Sequence, residues 1–180
     1  MPDTGRRIIV IGIGNPDRGD DAAGRAVARW LHGKLPPAVE IVEHNGEAST
    51  LLARLEGAAT AYLIDACLID ACASGASTGT IRRFDAGSAP LPRGGFNGGF
   101  NVSTHGLGLA EAVELARALG QLPDQCIVYA IEAASFEPGA PLSPPVAAAV
   151  AQVGNRLRDE ICGASGPEGR TDPVHHMPVR

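Results

Sequence analysis

The sequence predicts a three-layer α/β/α sandwich, phosphorylase/hydrolase-like, around a mixed five-stranded twisted sheet with one antiparallel strand. Three observations lead there. Strand-type and helix-type segments alternate βαβαβ through the first 66 residues, the pattern that builds parallel pairs. The first and third strand segments are apolar without alternation, as in strands covered on both faces. After the third strand no helix long enough for a parallel crossover follows, so the fourth strand is expected to run antiparallel at an edge.

The elements follow in order. Arg7–Ile13 is a β-branched run and reads as a buried strand. Asp20–His32 reads as a helix that Asp20 can cap, with Ala23, Val27, Trp30 and Leu31 as its apolar face. Val39–Glu43 is a second strand and Ser49–Glu56 a short helix with Leu51, Leu52 and Leu55 inward. Ala61–Ala66 is a third strand, apolar until Asp65, and Thr78–Phe84 a fourth. The Gly- and Pro-rich stretch Asp85–Asn101 is a long loop, in which 93–100 carries Phe96 and Phe100 as a candidate lid. Gly106–Leu119 is a helix, Cys126–Ile131 a fifth strand, and Ser143–Cys162 a last helix with Val146, Val150, Val153 and Leu157 at core spacing. Residues 1–162 form one domain, and 163–180, which lack periodicity, are expected to be a disordered tail.

Composition narrows the function classes. The 180 residues include 20 acidic against 15 basic side chains, a net charge of −5 that offers nothing to neutralise a phosphate backbone, so no nucleic-acid partner is expected. No apolar run approaches the roughly 20 residues of a membrane span. No membrane insertion and a cytoplasmic location are therefore expected. Cys67, Cys72, Cys126 and Cys162 have no CxxC spacing and read as reduced, mostly buried thiols.

Right-handed crossovers place the second and third strands on opposite sides of the first, which makes the carboxyl ends of strands one and three a topological switch point, where open α/β sheets bind ligands. The segment Gly12-Ile13-Gly14-Asn15-Pro16-Asp17 leaves the first strand there. Asp17 stands where a dinucleotide fingerprint needs its third glycine, so a pyrophosphate would meet a negative charge. Asp20 takes the structural role at the helix start, and Asp21 can face the crevice. Asp65 ends an otherwise buried strand and needs a cation, donors or a metal. His105, in Ser103-Thr104-His105-Gly106, is expected at a helix start, where the neutral imidazole is favoured as ligand or base. Two carboxylates and an imidazole would form a mixed oxygen–nitrogen site suited to a first-row divalent ion.

Ile11-Gly12-Ile13-Gly14-Asn15 followed by Gly19-Asp20-Asp21 and Gly24 resembles the opening motif of the hydrogenase maturation proteases. Ile64-Asp65-Ala66 resembles that family's second acidic motif, and Ser103-x-His105-x-x-Gly108-Leu109 its histidine motif. Ile131-Glu132 through Leu142-Ser143-Pro144-x-Val146 is similar to its closing segment. The resemblance implies an endopeptidase that cleaves a C-terminal peptide from the large-subunit precursor of a nickel–iron hydrogenase. It implies catalytic and metal-contacting roles for Asp21, Asp65 and His105. Nickel would arrive with the precursor and no permanently bound cofactor is expected; the ion would polarise the scissile carbonyl or activate water. The chain departs from the family at Asn45-Gly46, where many members carry Asp-Gly, with Glu47 next. An amide is no general base at neutral pH, which keeps two alternatives in view: a non-catalytic metal-dependent binding or chaperone module for the same precursor, and a nucleotide-binding α/β protein.

Overall fold

Ile8–Ile13 (β1) is the axis of the sheet, and every residue after Ile8 in it is buried. The computed structural model describes residues 6–68, 77–92 and 108–164. After β1 come a 3-10 turn (Gly19–Ala22), α1 (Ala23–Leu31), β2 (Val39–His44), α2 (Ala48–Leu55) and β3 (Thr60–Leu68). β4 (Ile81–Asp85), α3 (Leu109–Ala118), β5 (Gln125–Ala133) and α4 (Pro144–Ala164) complete the order. The strands lie β2-β1-β3-β5-β4. β1 pairs parallel with both β2 and β3, β3 pairs parallel with β5, and β4 pairs antiparallel with β5 at the edge. The mixed sheet and the antiparallel edge strand are as the connectivity predicts.

Alternation along the strands splits the core in two. Ile9, Ile11, Leu63 and Val128 face α2 and α3, where Leu51, Leu55, Val113 and Ala116 cover them. Val10, Ile64, Tyr129 and Ile131 face α1 and α4, against Val27, Leu31, Val153 and Leu157. Each fully buried Ile, Leu or Val contributes roughly 1.5–3 kcal/mol. The predicted core face of the last helix holds: Val146, Val150, Val153 and Leu157 are buried. Of the described cysteines, Cys67 and Cys126 are buried and Cys162 is exposed. No helix among the described residues is long and apolar enough to cross a membrane.

Several boundaries differ from the sequence reading. The first helix opens as the 3-10 turn, so Asp20 and Asp21 precede the α-helix proper. β3 runs on to Leu68, since pairing with β5 continues to Leu68↔Ala133. β4 starts at Ile81, later than expected, and α3 starts at Leu109, with Gly108 as its N-cap. α4 extends to Ala164, so the first two residues assigned to a tail are helical. The remaining tail, Cys72, Phe96 and Phe100 lie outside the described residues.

The two helices on one face approach closely because α4 presents a glycine to the indole of α1. A methyl group on Gly154 would lie 2.3 Å from the Trp30 ring. Gly154→Ala must push α4 off α1 or turn the indole, and the expected loss is about 1–3 kcal/mol, read as a lowered urea midpoint with an unchanged m-value.

Candidate active site

The crevice begins where β1 leaves the sheet. Its last partner on β3 is Ile64, paired with Gly12, so Asp65 is the first residue of β3 without a β1 neighbour. Gly14 then turns the chain at φ 144°, a backbone that favours glycine, and a methyl group on it would stand 1.8 Å from the Asp21 carbonyl oxygen. Gly24, in the first turn of α1, is pressed between strands: a methyl there would lie 2.2 Å from the Ile13 oxygen and 2.3 Å from the Ile64 oxygen. Backbone thus touches backbone one residue before Asp65 and three residues after Asp21. Arg25 Nε secures the turn from α1 by donating to the Gly14 oxygen at 2.7 Å.

This packing brings Asp21 and Asp65 into each other's field. Both are partly buried. Burial first, and the Asp21 charge second, push the Asp65 carboxyl up to about 7, against the Ala66 N–H that donates to Asp65 Oδ1. A carboxyl poised near neutral pH beside a second acid is the kind of perturbed group found at functional sites. A cation entering between them would remove the repulsion that raises the pKa. Among the described residues, no three His, Cys, Asp or Glu side chains gather into a metal-holding group. His105, the third expected member, lies outside the described residues, four positions ahead of α3.

Asp20 requires a correction. It caps no helix: the residue in the cap position of the 3-10 turn is Arg18, and its side chain makes no capping bond. The Asp20 carboxylate, 2% exposed, accepts instead from Ala134 N–H at 2.9 Å, Ser143 N–H at 2.7 Å and the Ser143 hydroxyl at 2.9 Å. Its own N–H donates to the Ser135 oxygen at 3.0 Å. The role is structural, as expected, but the target is the connection between β5 and α4. Sequence distance hid this, because Ser143 is 123 residues away.

The corner after β2 explains the departure at Asn45. Asn45 Oδ1 accepts from Glu47 N–H at 3.0 Å, closing a local turn that an aspartate would close equally well. Glu47 caps α2, accepting from Ser49 N–H, Thr50 N–H and the Ser49 hydroxyl, and these bonds hold its carboxyl down at about 2. So weak a base is a poor substitute for a general base. His44, which the sequence reading passed over, is 7% exposed. Its Nδ1 accepts from Gly46 N–H at 2.9 Å, which leaves Nε2–H to donate to Thr50 Oγ1 at 3.0 Å. Burial, then the Arg54 charge, lower its pKa, so the ring stays neutral. The signal was a histidine beside Asn-Gly at a strand end, but both ring nitrogens are used in bracing the corner.

Cys67 follows Asp65 on the same face of β3. Burial and the charges of Asp65 and Glu132 keep it a thiol well above its usual pKa. It is not a thiolate nucleophile.

A family model described as hydrogenase maturation protease matches residues 27–160 of the chain. No curated protein matches it significantly. Among solved structures, it is similar to the solution structure of an endopeptidase from Escherichia coli, with 25% identity, 89% of this chain and 94% of that one covered, and a TM-score of 0.69. It is also similar to the hydrogenase maturating endopeptidase HybD from E. coli, at 24% identity, 88% and 93% coverage and a TM-score of 0.64. The nickel–iron hydrogenase maturation protease HycI from Thermococcus kodakarensis KOD1 gives 23% identity, 87% and 93% coverage and a TM-score of 0.63. The last two likenesses, at such low identity, speak to the fold alone.

Two outcomes follow from the electrostatics. Because folding raises the Asp65 pKa, its contribution favours the fold when protonated: it is fully present below the unfolded value near 3.8 and lost as pH rises through about 7. Asp65→Asn should be more stable than the parent by about 2–4 kcal/mol at pH 8 and equal to it near pH 3, as read by urea denaturation across pH. Asn45→Asp should leave stability within about 0.5 kcal/mol, whereas Asn45→Ala loses the Glu47 bond and lowers the melting temperature.

Proposed function

This chain belongs to the hydrogenase maturation protease family, and we propose that it is the endopeptidase that cleaves a C-terminal peptide from the nickel-loaded large-subunit precursor of a nickel–iron hydrogenase. The observation that carries the reading is the pair of opposed acids, Asp21 and Asp65, at the switch point of a peptidase-family fold. In this proposal nickel is part of the substrate, held by the precursor. Asp21, Asp65 and His105 are the residues that contact it. When the precursor is docked, the ion supplies Lewis-acid polarisation of the scissile carbonyl. The chain's contribution is positional: the packing of α1 on β3 brings Asp21 into the field of Asp65, and His105 is the third residue proposed to contact the ion. Loss of the Asp21–Asp65 repulsion on docking favours the loaded precursor over an empty one. The proposal places the protein in the cytoplasm, beside the precursor it trims.

The non-catalytic reading drew on Asn45, an amide where many relatives carry an acid. Asn45 has a local role in this chain, accepting from Glu47 N–H in the turn after β2, which accounts for an amide there without a loss of activity. The nucleotide-binding reading loses ground because Asp17 stands where the dinucleotide fingerprint needs its third glycine.

The direct test is mass spectrometry of a candidate large subunit incubated with this protein, with and without nickel. The expected outcome is loss of a C-terminal peptide from the nickel-loaded precursor only. An intact mass in both samples would sink the proposal. Asp21→Asn, Asp65→Asn and His105→Ala should each slow processing by about a hundredfold or more, and unchanged cleavage by His105→Ala would remove the histidine from the mechanism.

A further inference from the structure

The sheet face that carries Asp65 also carries an ion pair that the proposed chemistry does not use. Asp65 pairs with Ala130 on β5, and Ala130 pairs with Arg82 on β4. The three side chains therefore form one row across adjacent strands, on the side covered by α2 and α3. Two strand spacings put Arg82 and Asp65 about 10 Å apart, with Ala130 on the strand between them. Glu132 lies two residues further toward the carboxyl rim, on the same face and opposite Cys67. Arg82 Nε sits 2.8 Å from Glu132 Oε1, so the guanidinium is drawn from its strand toward the rim.

The burial of the two partners is unequal. The Glu132 side chain is 3% exposed and that of Arg82 is 31% exposed. Neither Glu132 oxygen has a well-formed hydrogen bond, so the Arg82 contact is what offsets the buried charge. Such a pair gives little stability, because apolar residues of similar volume do as well or better. What it does provide is orientation. A buried acid that grips Nε takes the side of the planar fork that Nε shares with one Nη group and leaves the other Nη pointing away from it.

We propose that Arg82, held at the rim by Glu132, is a substrate-binding residue that donates to a main-chain carbonyl oxygen of the precursor segment lying across the crevice from Asp65. The inference rests on the proposed cleavage reaction. The chemistry of the rim selects this acceptor. Asp21, Asp65 and Glu132 make the surroundings acidic, so a carboxylate ligand would be repelled, whereas a neutral carbonyl would not. An extended chain advances about 3.3 Å per residue. A segment with its scissile bond at Asp65 would therefore reach Arg82 about three residues away. Arg82 is a binding residue and Glu132 a positioning residue, and neither joins the bond-breaking step.

The test is steady-state cleavage of the nickel-loaded precursor. Arg82→Ala would leave Glu132 buried and unpaired and endanger the fold, so the informative variant is the neutral pair Arg82→Gln with Glu132→Gln. Its KM should rise about tenfold with kcat within twofold of the parent. Arg82→Lys, which keeps the charge but loses the fork, should fall between the two. A purely structural pair would lower the melting temperature and leave KM unchanged; that result, or a loss confined to kcat, overturns the proposal. Normal cleavage by the parent protein separates such a failure from failure of the underlying activity.

Discussion

The close approach of α1 to β3 is the constraint on which the crevice depends. Gly24 rests against the carbonyl oxygens of Ile13 and Ile64, at a distance where any side chain would collide with backbone. That contact sets the depth of the 3-10 turn and thereby the separation of Asp21 from Asp65. The two acids repel, so nothing in their own chemistry would keep them together. The close-packed backbone around them does, and the free protein carries the cost as a carboxyl that titrates near 7.

The surrounding structure braces this arrangement from three directions. On one side, the His44 carbonyl accepts from Gly14 N–H at 3.0 Å, while the His44 ring holds the Asn45–Gly46 corner. On a second, Arg25 reaches back from α1 to the Gly14 oxygen. On the third, the buried Asp20 carboxylate fastens the connection between β5 and α4 to the same turn. Asp20 and Asp21 are adjacent in sequence yet do opposite things. Asp20 is satisfied by N–H and O–H donors, and the charge of Asp21 acts on Asp65. A satisfied buried carboxylate rigidifies its neighbourhood, and one facing another acid is pushed toward its protonated form.

Stability and buried charge pull apart at this rim. Asp65 and Glu132 both have raised pKa values, with burial the largest cause in each. A fold selected for stability alone would replace them with apolar residues. The amino-terminal half of the sheet shows no such conflict, since Ile9, Val10, Leu63 and Val128 pack without polar partners. The division matches the rule that open α/β sheets keep their chemistry at the carboxyl ends of the strands and their core elsewhere.

Much of this was legible in the residues. The unbroken apolar runs at Ile8–Ile13 and Ala61–Ile64 announced strands covered on both faces, and the absent crossover helix after Asp65 announced the antiparallel edge. The order of the glycine, aspartate and histidine motifs pointed to the family, because local spacing is what a motif records. Local spacing also limited the reading. It assigned Asp20 to a cap, since a cap is the nearest donor set a sequence displays, while the donors it uses come from Ala134 and Ser143. It showed Glu47 beside Asn45-Gly46 but not that the cap of α2 holds that carboxyl too acidic to act as a base. It could not place Arg82 beside Glu132, 50 residues away. By itself the sequence determined the elements, their connectivity and the acids available, because periodicity and burial preference act over a few residues. Only the tertiary structure decided which acid is satisfied, which is strained and which is paired. Those outcomes depend on what the sheet brings within hydrogen-bonding or Coulombic range, and that range ignores distance along the chain.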